Sequence, residues 1–201
     1  EGVSTFNNTR ALKVNGGVGK QFSFSTTFYE SQGRFAKYFN DYAEQMKPDG
    51  GNPAIIPGRG IAKEFKTDAY DYPVAEAYIS YTPSKYFNFQ FGNGKNFIGD
   101  GYRSLFLSDV ASPYPFFKIN TDFWKIKYTN LWMWLEDVRD EATINGISTR
   151  KFVALHHLSW NINKKLRKRP LPFFTEERLP FSKSDVKKPW VMSCASGTLL
   201  P

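Results

Sequence analysis

Alternation of apolar and polar side chains organises this sequence. From Gln21 to Tyr29, Phe22, Phe24 and Phe28 fall on one face with Thr26 between them, and Gln21, Ser23, Ser25 and Thr27 fall on the other. A period of two is that of a β-strand with one apolar face. Arg10 to Val14 reads as a shorter strand before it, joined through Asn15-Gly16-Gly17, residues that tolerate the positive φ of a hairpin turn. Val74 to Tyr81 alternates again, with Ala75, Ala77, Ile79 and Tyr81 opposed to Glu76, Tyr78 and Ser80. Across a turn at Thr82-Pro83-Ser84-Lys85, the segment Tyr86 to Phe91 opposes Phe87, Phe89 and Phe91 to Asn88 and Gln90. Phe116 to Ile119 is a short strand ending in a turn near Asn120-Thr121. Phe123 to Leu135 is the longest strand, and Lys151 to Trp160 is the last, with its turn over 161–165.

Two stretches break the alternation. Phe35, Tyr38, Phe39, Tyr42 and Met46 follow helical spacing, which predicts a short helix inside a long excursion over residues 30–72; the Pro- and Gly-rich residues 47–60 read as loop. Residues 92–115 form a second, glycine-rich loop. Tight connections at 15–17, 82–85, 120–121 and 161–165 therefore alternate with longer ones at 30–72, 92–115 and 136–148. A transmembrane β-barrel has this signature, with tight turns at one end and long loops at the other. A soluble β-sandwich also alternates its faces and is the competing reading. In a barrel, the Phe/Trp/Tyr faces suit lipid and the Ser/Gln/Lys/Glu faces suit a wet lumen. Lysine at the lipid midplane costs about 2–4 kcal/mol, so the face of Trp124, Ile126 and Tyr128 is expected outward and that of Lys125 and Lys127 inward.

About seven strands are legible, whereas bacterial barrels carry an even number, about eight or more. An open sheet in lipid would leave unpaired backbone groups along its edges. The expected fold is thus all-β: an antiparallel up-and-down transmembrane β-barrel over residues 1–165, incomplete, with a short helix in a long loop. Residues 166–201 are expected to be an irregular basic tail, non-native through truncation, frameshift or fusion.

Composition narrows the function classes. The 201 residues carry a formal net charge of +8, but residues 161–201 hold nine basic and three acidic residues, so the body is nearly neutral. A basic tail can bind nucleic acid or an anionic membrane. No recognition module lies beside Lys164–Arg169, so nucleic-acid binding is the weakest of three readings. The apolar share of 41% comes without any run of roughly 20 apolar residues, which excludes a helical membrane protein. One cysteine excludes an internal disulfide framework and a cysteine-based zinc site. His156 and His157 are adjacent on a strand, point to opposite faces and cannot share a metal. No G-x-S-x-G elbow occurs. The expectation is no enzyme, no cofactor and no metal. The chain opens at Glu1 without a signal-like segment, as a mature product or an internal fragment would.

The stretch from Phe89 to Asp109, FQFGNGKNFIGDGYRSLFLSD, continues into Pro113-Tyr114-Pro115-Phe116 and into Phe123-Trp124-Lys125-Ile126-Lys127-Tyr128-Thr129-Asn130. It resembles the gliding-motility-associated outer-membrane protein family of gliding bacteria and, more distantly, the Wzi-type capsule-assembly proteins. The resemblance covers roughly residues 5–165, with residues 92–109 its specific part. It implies a bacterial outer-membrane β-barrel without catalysis, which supports surface-polysaccharide or capsule handling, or gliding motility, by binding. Its partners would be outer-membrane lipid and surface polysaccharide or motility and envelope proteins.

The candidate site is the glycine-rich loop. Its polar side chains Lys95, Asp100, Arg103 and Asp109, with Tyr102 and the nearby Tyr114 as aromatic platforms, suit a polysaccharide ligand at a barrel mouth. An Asp100–Arg103 ion pair that merely fixes the loop is the structural alternative. Nucleotide binding fails on context: Gly94 and Gly99 have the first Walker spacing, but Asp100 stands where lysine is required.

Overall fold

The alternating segments form strands, and most of the strands outrun their alternation. A computed structural model describes residues 4–45, 54–64, 66, 68–99, 102, 104, 106–137, 143–144, 147–161, 167–168 and 173–178; for 143–144, 147–148, 167–168 and 173–178 it describes the backbone alone. In chain order the elements are β1 (Phe6–Val18), β2 (Phe22–Arg34), α1 (Lys37–Gln45), β3 (Ala54–Ile56), β4 (Gly60–Glu64), β5 (Tyr70–Asp71), β6 (Val74–Ser84) and β7 (Phe87–Gly94). They continue with β8 (Tyr114–Phe123), β9 (Ile126–Asp137), β10 (Thr143–Ile144), β11 (Ile147–Asn161), β12 (Arg167–Lys168) and β13 (Phe173–Arg178).

The long strands form an antiparallel meander in the order β1-β2-β6-β7-β8-β9-β11. β12 and β13 follow one another along the remaining edge of β11, through Trp160↔Lys168 and Leu155↔Phe174. The meander therefore has eight positions, and the sheet curls into a half-barrel. The tight turns near residues 20, 85 and 124 lie at one end, and the long connections lie at the other.

Two small cores sit at the loop end. The excursion after β2 packs α1, β3, β4 and β5 around Ala43, Ala54, Ile56, Ala62, Tyr70 and Tyr72, with Phe35 and Phe39 against them. The hydroxyl of Tyr72 donates to Asn7 Oδ1 at 2.6 Å and ties this unit to β1. The second core lies on the concave face, where Tyr114, Phe116, Leu131, Met133 and Leu155 pack beneath Ile98 and Leu107 of the loop between β7 and β8.

Several sequence expectations are corrected. The first turn falls at residues 19–21, with Gly19 at φ 63°, and Asn15-Gly16-Gly17 continues β1. Gly16 has its own reason: a Cβ there would lie 2.4 Å from Cζ of Phe24, whose ring covers the glycine across the strand pair. Asn120-Thr121 is strand, and the turn is Trp124-Lys125 with Trp124 at φ 53°. The alternation Phe117, Ile119, Thr121, Phe123 runs unbroken through Asn120, and the period outweighs the turn propensity of that residue. Trp124 and Lys125 are thus turn residues; Ile126 and Tyr128 share the convex face, and Lys127 the concave one. Residues 47–60, read as loop, include β3 and the start of β4. The tail, read as irregular from 166, contributes β12 and β13. The prolines at 170, 172 and 180 obscure the period of Phe173–Arg178, and the edge of β11 supplies its hydrogen-bonding partner.

Candidate functional site

Register decides which side chains share a face. Successive strand residues alternate, and the pairs Thr27↔Glu76, Ser80↔Gln90, Asn88↔Asn120, Asn120↔Thr129 and Thr129↔His157 carry one set across the sheet. This concave set is polar along the turn-proximal half. Ser25, Thr27, Ser31, Ser80, Thr129, His157 and Ser159 on it are all buried, at most 9% exposed. The convex set is apolar yet exposed: Leu12 63%, Phe24 41%, Ile79 57%, Phe91 58% and Trp160 42%. This inverts the usual arrangement of a protein in water, where the apolar face is the covered one.

Charge follows the same division over most of each strand, and toward the loop end Arg10, Glu30, Arg34, Glu136 and Arg150 take convex positions. The convex positions Leu12 to Val18, Phe22 to Phe28, Ala75 to Tyr81, Phe87 to Asn93, Pro115 to Phe123, Ile126 to Trp134 and Phe152 to Trp160 hold no Asp, Glu, Lys or Arg. Lys13, Glu76, Lys118, Asp122, Lys127, Asp137 and Lys151 all take concave positions. Convex aromatic rings form contacts across the strands: Phe22 stacks on Tyr81 at 4.4 Å, Phe117 on Trp132 at 5.5 Å, and Trp134 meets Phe152 edge-on at 5.8 Å.

On the concave face a hydrogen-bonded row crosses four strands. Asn88 Nδ2 donates to Ser80 Oγ at 2.8 Å and to Thr82 Oγ1 at 2.9 Å. Asn120 Nδ2 donates to Asn88 Oδ1 at 3.4 Å, and Thr129 Oγ1 donates to Asn120 Oδ1 at 2.9 Å. Beside this row opens a cleft of about 500 Å³, lined by Asn96, Lys118, Asn120, Asp122, Lys127 and Thr129 among others, with Trp124 at its rim. Its wall toward the loops is the strand-like segment at residues 96–99, held by the Ile98–Leu107 bridge and by the Ser104 hydroxyl, which donates to the Ile98 carbonyl.

The loop residues singled out in the sequence fall elsewhere. Lys95 Nζ donates to the Gly58 carbonyl at 2.8 Å and fastens the loop to the β3–β4 hairpin. Tyr102 is 93% exposed, and Asp109 is exposed in a turn. Lys95, Tyr102 and Asp109 share no hydrogen bond or ion pair with one another, and none of them lines the cleft. Asp100 and Arg103 lie outside the described residues, and so does their ion pair. Tyr114 is a buried member of the concave core and accepts a hydrogen bond from the Asn96 backbone at 3.3 Å, so it offers no surface platform. His156 and His157 do point to opposite faces: His157 is buried on the concave side, and His156 Nδ1 meets Asn130 Oδ1 at 2.6 Å on the convex side. Among the described residues no group of three or more His, Cys, Asp or Glu could hold a metal ion.

Asn96, Lys118, Asn120 and Thr129 were not selected from the sequence as site residues. Their sequence signal was parity alone: Lys118, Asn120 and Asp122 alternate with Phe117, Ile119 and Thr121. Parity marks a polar face but not which part of it is enclosed.

The fold and site thus define an all-β antiparallel protein with an apolar convex face and a polar, cleft-bearing concave face. No protein-family model, no curated protein and no solved structure matches the chain.

Proposed function

We propose that this chain is part of a bacterial outer-membrane β-barrel that handles polysaccharide at the cell surface, in capsule assembly or gliding motility, by binding and not by reaction. The observation that carries the reading is the inverted polarity of the sheet. Its convex belt is seven to nine residues deep on each long strand, or about 23–30 Å along the strand. Tilted by about 35–45°, such belts rise about 16–25 Å, and the nine-residue ones reach the height of the apolar band of an outer-membrane barrel, about 25 Å. Hydrocarbon accepts exposed Phe, Trp, Ile and Leu, whereas water makes every such side chain unfavourable.

The concave face supports the binding part. Its amides and hydroxyls, on Ser80, Asn88, Asn120 and Thr129, are the groups that exchange hydrogen bonds with sugar hydroxyls. The cleft beside them has the volume of an ordinary ligand site.

The experiment is tryptophan quenching in vesicles of brominated lipid. Trp132, Trp134 and Trp160 lie on the convex face and should be strongly quenched. Retention of the chain in the aqueous phase with unquenched tryptophans would overturn the membrane reading and leave a soluble carbohydrate-binding module in its place.

A further inference from the structure

We infer that the cleft takes an oxyanion carried by a sugar chain, a uronate carboxylate, so that the polysaccharide handled is acidic. The inference rests on the polysaccharide-binding reading above and specifies its ligand. Lys118 and Lys127 both line the cleft, on adjacent strands and on the concave face. Among the described residues neither forms an ion pair: Lys118 Nζ donates to Asn96 Oδ1 at 3.0 Å and sits 5.5 Å from the centre of the Phe116 ring. An ammonium has three donors, so one amide oxygen leaves donor capacity unused. Asp122 is the single carboxylate lining the cleft, against three lysines, Lys118, Lys125 and Lys127.

Asn96 supplies the second, independent observation. It is 5% exposed, its backbone N–H is taken by Tyr114, and its side-chain oxygen is taken by Lys118. Because an ammonium can only donate, the carboxamide oxygen must face Lys118 and the NH2 group must face away from it. That NH2 is buried and has no partner among the described residues. A buried donor left unsatisfied costs about 1–3 kcal/mol. A carboxylate would accept from Lys118 and Lys127 with charge-assisted hydrogen bonds, and a sugar oxygen on the far side of Asn96 would accept from its NH2 group. A neutral sugar would leave the half-buried Lys118 ammonium without a counter-charge in a partly enclosed site.

The test is calorimetric titration of the full chain in lipid with three probes: oligogalacturonate, its methyl ester and inorganic phosphate. Methyl esterification removes the charge and keeps the sugar chain. The free acid should bind about tenfold tighter than the ester, with that preference shrinking as salt rises. Asn96→Asp gives Lys118 an internal counter-charge and should lower uronate affinity about tenfold while leaving the ester nearly unchanged. Lys127→Gln, at an exposed position where folding is not at stake, should lower it in the same selective way. Equal binding of acid and ester overturns the acidic specificity and leaves the polysaccharide reading intact. Binding of neither probe by chain shown to be in lipid overturns both and spares the barrel. Displacement by phosphate at the same concentration as the uronate overturns the sugar-borne source.

Discussion

Leu155 and Leu158 stand three residues apart on β11 and on opposite faces of one sheet. Leu155 is fully buried among Tyr114, Phe116, Leu131 and Met133, under Ile98 and Leu107 of the long loop. Leu158 is 39% exposed, in a belt with Trp160, Tyr128 and Ile126. The concave apolar residues are few and are covered by the protein itself. The convex ones are many and covered by no element among the described residues. The contrast teaches that the apolar period of these strands records two different environments. The concave core has a lid from the same chain, whereas the mostly apolar convex surface has none among the described residues.

Variants on the two faces test that contrast. The largest effect is expected for Leu155→Ala, which opens a cavity in a packed cluster and should cost about 2–5 kcal/mol. On the membrane reading proposed above, Leu158→Ala should cost less than half as much, because lipid chains would fill the space it leaves. Urea midpoints for folding into vesicles compare the two, and equal losses would break the distinction between faces. Next comes Phe91→Lys on the convex belt. In lipid it should cost about 2–4 kcal/mol, but at an exposed site in water only about 0.5 kcal/mol. A small effect in vesicles would place the convex face in water.

Neighbouring residues of β8 sharpen the comparison further. Asn120→Leu removes the acceptor of the buried Thr129 hydroxyl, and should destabilise by about 1–3 kcal/mol although it adds apolar area. Thr121→Leu, one residue on, should stabilise the lipid-inserted state by about 0.5 kcal/mol. Two changes of the same sign would mean that the register faces are misassigned.

A further modest effect is expected outside the sheet faces, in the unit after β2. Tyr70 donates to Glu44 Oε1 at 2.5 Å. Burial, and then the bond to Glu44 and the nearby carboxylates, hold its hydroxyl well above the ordinary tyrosine range. A raised value means that the folded state keeps the neutral phenol. The contribution is therefore full below about pH 10, where the unfolded tyrosine is also neutral, and is lost as the pH rises above it. Tyr70→Phe should cost about 0.5–1.5 kcal/mol at neutral pH. It should also flatten the alkaline limb of a denaturation profile, and an unchanged limb would assign that limb to other groups.

Much of the sheet was legible because β-strand parity survives in side-chain type. Phe87, Phe89 and Phe91 against Asn88 and Gln90 identify β7, and both of its faces, without any coordinates. Turn positions were less legible. Asn15-Gly16-Gly17 has turn chemistry but lies within β1, because the pairing partner Phe24 covers Gly16 and the chain reverses only at Gly19. Trp124 carries the reverse error: a bulky residue at positive φ is unfavourable locally, and the pairing Phe123↔Ile126 across the turn places it there nonetheless. The candidate loop was correctly located as a distinct segment. Lys95, however, anchors it to Gly58, a partner 37 residues away that local sequence cannot indicate.

The sequence by itself determined the strand period, the opposition of an aromatic to a polar face, and the alternation of tight and long connections. These depend on neighbours two residues apart, and such neighbours are written side by side in the chain. Tertiary structure decided the register, the eighth strand position built from β12 and β13, and the folding of residues 96–107 onto the concave face. It alone brought Asn96 to Lys118, 22 residues apart, and enclosed them in one cleft. Those outcomes depend on which distant backbone edges and surfaces meet, and that is fixed by the packing of the whole sheet.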